Sequence, residues 1–362
     1  MLYLPHEALS IRWLDNNTKL SLKLPWLSME IEVDPQEKAW IEKAINLLHT
    51  APLKDEPQRF IKELKDYPLF YYKPRLIEEF HEQDLQSSKP FSVDYTSPLT
   101  FFNTAQIPAD ASLQQDILQD WTWEWGKILD KCRIDGTELY DPLSAVSYLI
   151  CYRLQWESTT WSGQDGLGKK LEEFLKEDEH KFFKAIGWIS KQSYFITKNF
   201  CDGLKPALTY FPKATDLIEH FINDEIGHHK FMEQVFNDLN LNKDDLKVGP
   251  ATKWTLAAHQ KMATLSPLAF SAMINLFEAA FYEGQDPISR VIKKSSKPEA
   301  ARGYDLHYKI NQEHRHCDMP IILAQRLAPQ PKEHILLTLA IFELTLNFLD
   351  QMEKRLDEYI KI

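Results

Sequence analysis

The stretch Tyr304-Asp-Leu-His307-Tyr-Lys-Ile-Asn311-Gln-Glu-His314-Arg-His316-Cys-Asp318 decides how the chain is read. As a helix turning about 100° per residue, it places His307, Asn311, His314 and Asp318 within a narrow arc, while His316 points away. One face then carries two imidazoles and two oxygen-bearing side chains. The Cα atoms of His307 and His314 are expected ~10 Å apart, from ~1.5 Å of rise per residue. That span is awkward for a single ion. It suits a pair of ions about 3.5 to 4 Å apart, each taking one histidine.

Two more segments supply partners for that face. Of the twelve histidines none falls between His81 and His180, whereas His220, His228, His229, His307, His314 and His316 sit in two C-terminal segments. The first reads Phe221-Ile-Asn-Asp-Glu225-Ile-Gly-His228-His229-Lys. A helix brings Glu225 and His228, three apart, onto one face where carboxylate and imidazole converge on one ion, with Asp224 and His229 flanking them. The same spacing is common on solvated helix surfaces, so the pair gains its meaning from the other segments. Another, Asn275-Leu-Phe-Glu278-Ala-Ala-Phe-Tyr282-Glu283-Gly-Gln-Asp-Pro287, buries acid in an apolar run, which is costly unless the acid is partnered. Glu278 and Glu283 lie on different faces, so at most one is expected to meet the histidines. Imidazole and carboxylate from three helices is the plan of carboxylate-bridged dinuclear proteins, and that ligand chemistry suits iron, or manganese, rather than a soft metal. No cysteine joins the cluster in a zinc-finger spacing.

The rest of the chain fits a bundle around such a centre. Helical periodicity runs over Leu113 to Cys132, Pro142 to Glu157, Lys169 to Phe200, Pro212 to Leu239, Pro267 to Glu283, Lys297 to Cys317 and Pro331 to Ile360, several with proline in the first turn, where its missing N–H is harmless. Before these, Leu9-Ser-Ile-Arg-Trp-Leu and Lys19-Leu-Ser-Leu-Lys-Leu alternate apolar and polar residues around an Asn-containing turn, and Met29-Glu-Ile-Glu-Val follows. Helices are expected over Pro35–Leu48 and Pro57–Leu64. The chain thus divides into a small α+β module over 1–80, a linker or wrapping segment over 81–112 and an all-α bundle over 113–362, a mainly α fold overall.

Composition narrows the function classes. With 42 Lys and Arg against 53 Asp and Glu, the net charge of −11 and the lack of a basic run argue against a nucleic-acid partner. Cys132, Cys151, Cys201 and Cys317 are scattered without a Cys-x-x-Cys, as reduced cytosolic thiols are. No secretory signal is read at the start, and the most apolar stretches carry Asn275, Glu278, Glu343 and Asn347, which membrane spans avoid. A cytoplasmic protein is expected. Trp121, Trp123 and Trp125 favour a homodimer.

From about Leu143 to the end, these segments resemble the haem-oxygenase-like fold, in its branch of di-iron oxidases related to the thiaminase II and pyrroloquinoline-quinone synthase families. Phe182 to Phe200, with Gln192 and Tyr194, resembles the helix preceding the first metal-binding helix of that branch. Asp224-Glu225-Ile-Gly-His228 is similar to its first ligand helix, Tyr282-Glu283-x-x-x-Pro287 to its second, and His307-x-x-x-Asn311-x-x-His314 to its third. The third is written His-x-x-x-Asp-x-x-His in the family, so Asn311 replaces a carboxylate and removes one negative charge. The resemblance implies Glu225, His228, Glu283, His307 and His314 as ligands to two non-haem iron ions, with Asn311 as a ligand or a hydrogen-bonding neighbour and His229 as substitute for His228. Tyr282 and Tyr304 are implied to donate hydrogen bonds or electrons. The implied activity is an O₂-dependent oxidase or oxygenase acting on a small organic substrate.

Within the same fold a metal-free enzyme, with Cys201 or Cys317 as nucleophile, is the first alternative, and a non-catalytic metal-binding or interaction protein the second. Haem oxygenase itself requires an axial histidine that Leu113 to Cys132 does not contain. The order of elements in 1–80 resembles the winged-helix-like modules that bind leader peptides, which implies a peptide partner for that module.

Overall fold

The computed structural model describes residues 10–14, 18–24, 27–33, 132–160, 166–210, 214–265, 267–278 and 286–354, together with Lys38, Glu42, Leu356 and Tyr359. The expected helices over Pro57–Leu64 and Leu113–Cys132, the 81–112 segment and the three tryptophans Trp121, Trp123 and Trp125 lie outside these residues, Cys132 excepted. Of the helix expected over Pro35–Leu48 only Lys38 and Glu42 are described, an i,i+4 ion pair at 3.7 Å.

The alternating runs near the N-terminus form an antiparallel meander, β1 (Ser10–Leu14), β2 (Lys19–Leu24) and β3 (Leu27–Glu32), in sequential order. Trp13 pairs with Leu20, and Leu20 with Ile31. Leu20 and Ile31 are buried and join the apolar cluster that contains Trp254, Phe342 and Phe348. The sheet therefore shares the core of the helices rather than enclosing its own.

The remainder is helical: α1 (Pro142–Thr160), α2 (Leu167–Glu177), α3 (Glu179–Leu204), α4 (Thr215–Glu225), α5 (His229–Leu239), α6 (Pro250–Leu265), α7 (Pro267–Glu278), α8 (Pro287–Ile292), α9 (Arg302–Glu313), α10 (Met319–Gln325) and α11 (Lys332–Lys354). A short ladder, β4 (Leu139–Tyr140) with β5 (Gln330–Pro331), ties the start of α1 to the start of α11. Strand β3 lies on α6, where Lys253 Nζ donates to the Glu32 carbonyl at 2.7 Å. Among the described residues no helix is long and apolar enough to cross a membrane.

Several helices read as continuous from the sequence are broken. The 169–200 helix divides at Asp178, whose carboxylate accepts from the His180 N–H and so starts α3. The 212–239 helix divides after Glu225, and the 297–317 helix after His314. Helix α6 is not signalled by periodicity at all. Its buried positions include Ala251, Thr252, Trp254, Thr255, Ala258, His259, Met262 and Ala263, so small and polar residues replace the large aliphatic stripe that would have marked it.

Two contacts fix how the helices approach the centre of the bundle. On α3 the buried Gln192 is saturated: its amide donates to the Trp188 and Lys247 carbonyls, and its oxygen accepts from Gly249 N and Thr252 Oγ1. That bond set pins the entry of α6 to α3. Where α9 crosses α5, Gly303 packs so tightly that a β-carbon would run into the Phe231 carbonyl oxygen and approach Val235 Cγ2 to 2.9 Å. Gly303 is one turn before His307.

Gly303→Ala is therefore expected to lower stability by about 1–3 kcal/mol, the range for overpacking a tight contact, in urea unfolding. A second expectation concerns Asp286, which caps α8 by accepting from Ser289 N. Burial, reinforced by the Asp305 charge, raises its carboxyl to about 6 although the Ser289 and Ile288 N–H groups and Lys293 oppose this. Its folded pKa thus lies above the unfolded one, so its contribution is complete below about pH 4 and is lost as pH rises through 6. Asp286→Asn keeps the cap acceptor. Its stability relative to the wild type should rise between pH 4 and pH 7, and unfolding midpoints that shift equally across that range would contradict the assignment.

Candidate metal centre

The centre is assembled from helix ends. Helix α4 stops at Glu225; Ile226 is extended, Gly227 takes a left-handed φ of +97°, and His228 precedes α5. Only glycine adopts that φ without strain. The turn folds His228 back so that its Nδ1 lies 2.9 Å from Glu225 Oε2. Helix α9 likewise ends at Glu313–His314, and Arg315, at φ +55°, is left-handed without being glycine. The chain then enters a 3₁₀ turn over His316–Asp318, with Arg315 paired to Asp318.

That turn reverses one expectation. His316, which a continuous helix would send outward, is almost fully buried, with Nδ1 3.3 Å from Glu225 Oε1 and 3.5 Å from Glu278 Oε2. Glu278, on α7, meets the histidines; Glu283 and Tyr282 lie outside the described residues.

Two inward-facing groups of donors result, half-buried at His307 and buried at the others, each with ligand atoms within 4.8 Å of one another: Glu225, His228 and His307, and Glu225, Glu278 and His316. They share Glu225, which turns Oε2 to His228 and Oε1 to His316. The His228 and His307 rings stand edge to face with centroids 5.0 Å apart. Glu225 Oε1, His228 Nδ1, His307 Nε2 and His316 Nδ1 are all buried and lack an aligned hydrogen bond. Buried polar atoms without hydrogen bonds call for a partner of another kind, and an ion is one. The residues therefore fit a metal ion.

The electrostatics agree. Burial would raise the Glu225 carboxyl, but the His228 and His316 imidazoles in contact with it, and His307 beyond, hold it at about 2. Burial would lower His316, yet Glu225 and Glu278 raise it to about 10. Burial keeps His307 neutral, lowered to about 4. Burial and the Glu225 charge raise Glu278, against the pull of His316 and His228. The pocket is a place for positive charge.

The other expected site residues are placed as follows. Asn311 is buried and donates from Nδ2 to Glu278 Oε2 at 2.9 Å, so that it supports a carboxylate of the second group, while its own Oδ1 is buried without a hydrogen bond. His314, expected as a ligand on the arc of His307, is outside both buried groups because α9 ends there; it is 40% exposed and pairs with Asp224 at 2.8 Å. His229 turns away and sets its ring against Tyr194, centroids 5.8 Å apart. Tyr304 spends its hydroxyl on Ser190 Oγ at 2.9 Å, and burial raises its phenol, so it serves packing. Asp318 is buried against Arg315 and Cys317. The thiols of Cys201 and Cys317 are raised by burial to about 11 and about 12, the reverse of an activated nucleophile.

The fold buries one further histidine that periodicity does not single out. His259 on α6 is fully buried between the Phe200 and Phe277 rings, and burial lowers it to about 3 despite the influence of Glu225. A lone histidine in Leu256-Ala-Ala-His-Gln is the available signal, and it is a weak one.

In comparisons with known proteins, no family model, no curated protein and no solved structure matches the chain.

Because Gly227 alone makes the Glu225–His228 turn, Gly227→Ala should cost about 1–3 kcal/mol, the range for a forced left-handed residue. It should also weaken binding of Mn²⁺ in calorimetric titration. A β-carbon there meets nothing within 4 Å, so a loss would be conformational rather than steric. Unchanged stability and affinity would show that the turn does not shape the site.

Proposed function

We propose that the chain is a non-haem di-iron oxidase or oxygenase of haem-oxygenase-like architecture that uses O₂ on a small organic substrate. The observation that carries this reading is the shared carboxylate: Glu225 directs its two oxygens at two donor groups whose remaining members come from different elements. Glu225, His228 and His307 form a two-histidine, one-carboxylate set, the combination that leaves open positions on ferrous iron. Glu225, Glu278 and His316 form a carboxylate-richer set beside it. Manganese suits the same donors.

Two bound ferrous ions would supply the electrons and the open coordination positions that O₂ chemistry requires. The protein's part is placement. Asn311 holds the Glu278 carboxylate by its Oε2 atom, the role of a hydrogen-bonding residue behind a ligand. Its neutral amide in a carboxylate's position leaves the buried pocket with less negative charge than the family pattern has. The Phe221 ring stands edge-on to His316, centroids 5.0 Å apart, and helps keep water from that side. Substrate specificity belongs to the pocket walls, which fold class does not determine.

Anaerobic reconstitution with ferrous iron tests the reading. About two irons per chain are expected, as a dinuclear centre requires, with a visible absorption band forming on exposure to O₂. Glu225→Gln should cut iron content to about half or less, since both groups lose a member. A wild-type protein that takes up no iron, or iron uptake unaffected by Glu225→Gln, would overturn it. Iron bound with no reaction towards O₂ would instead identify a non-catalytic metal protein.

A further inference from the structure

A third set of donors lies on the outer side of His316. Asp224 Oδ2 is approached by His314 Nδ1 at 2.8 Å, His316 Nε2 at 3.4 Å and His220 Nε2 at 3.5 Å. Asp224, His314 and His316 offer ligand atoms within 4.8 Å of one another. His220, one turn before Asp224 on α4, stacks nearly parallel to His314, with ring centroids 6.1 Å apart and planes at 24°. None of this set enters the buried groups except His316, whose two nitrogens look in opposite directions: Nδ1 towards Glu225 and Glu278, Nε2 towards Asp224.

Exposure falls steadily along this line. The side chains are 70% exposed at His220, 40% at His314, 11% at Asp224 and 2% at His316 and Glu225. A cation from solvent therefore meets imidazoles first, then a carboxylate, then the imidazole that also faces the buried carboxylates. Imidazole with a single carboxylate is a borderline donor set that takes up divalent transition metals, and partial exposure allows fast exchange.

We propose that Asp224, His314 and His316, with His220 at the mouth, form an outer divalent-cation site that captures the ion and passes it to the buried centre. The capture site stands on its own donors; only the destination of the ion rests on the function proposed above. Transfer is ligand exchange. The ion exchanges Asp224, His314 and His316 Nε2 for Glu225, Glu278 and His316 Nδ1, the imidazole N–H proton passing from Nδ1 to Nε2 by way of solvent, and no electron moves. His316 is the one residue common to both ends: the ion gives up Nε2 on the outer side of the ring and meets Nδ1 on the inner side.

Co²⁺ uptake by the full-length apo-protein, followed by stopped-flow absorbance and by metal content at equilibrium, tests this. The His220→Ala/His314→Ala double variant should fill the buried centre to the wild-type level but about tenfold or more slowly, in line with the effect of removing groups beside a metal site. The Glu225→Gln/Glu278→Gln variant should lose the buried ions and keep a weak, rapidly exchanging one. His314→Gln, which retains a polar side chain at a surface position, guards against a folding artefact and should slow loading as well. Equal uptake rates in wild type and double variant would overturn the proposal. So would loss of buried ions in the double variant, which would place His314 in the inner centre. Wild-type protein that binds one weak ion removed by the histidine substitutions, but nothing at the buried centre, would retain the outer site and refute the functional reading instead.

Discussion

The constraint on which the structure turns is the burial of the Glu225 charge. A carboxylate at 2% exposure is far from water, and it is tolerable only where positive charge or hydrogen-bond donors meet it on every side. Here those partners are imidazoles from three places: His228 after α4, His307 on α9 and His316 in the turn beyond α9. Glu278 adds a second acid to the same pocket, which deepens the demand for a cation. Hydrophobic burial around this point, through Phe221 and Phe200, holds the helices together, and the charge at the centre dictates where they must stop.

Stopping is the device the chain uses. Regular helices would carry Glu225 and His228 along one surface stripe and would turn His316 outward. Instead, left-handed residues at Gly227 and Arg315 end α4 and α9 next to the centre, and the residue following each one points into it. Gly303 performs the complementary task, letting α9 lie close enough to α5 for His307 to reach His228. Asn311, in the same helix, then fixes Glu278 from behind. Backbone conformation and ligand geometry are thus coupled through a few residues, most of which carry no donor themselves.

This coupling explains what the sequence disclosed and what it hid. The strands announce themselves by alternation, and the meander falls where Leu9 to Val33 alternates. Glu225, His228 and His307 are visible because their spacing looks the same to a short local reading whether or not a helix breaks between them. Of Glu278 and Glu283 the spacing admits one and the resemblance implies Glu283, whereas tertiary packing, which periodicity does not encode, brings Glu278 to the histidines. His316 was hidden for a sharper reason: Arg315 in a left-handed conformation leaves no mark, since glycine or asparagine is the usual signal of such a cap. Pro320, at the start of α10, hinted that a helix was ending but not where. Helix α6 was hidden because its inward face is built from Ala and Thr around Trp254, without the aliphatic repeat by which helices are recognised.

Diffraction from crystals grown with Mn²⁺, recorded at wavelengths that isolate the metal's anomalous signal, tests the central claim most directly. The account predicts two neighbouring peaks, one coordinated by Glu225, His228 and His307 and the other by Glu225, Glu278 and His316, with Glu225 contributing one oxygen to each. A pocket in which Glu225 remains bonded to the histidines with no peak between them would contradict it.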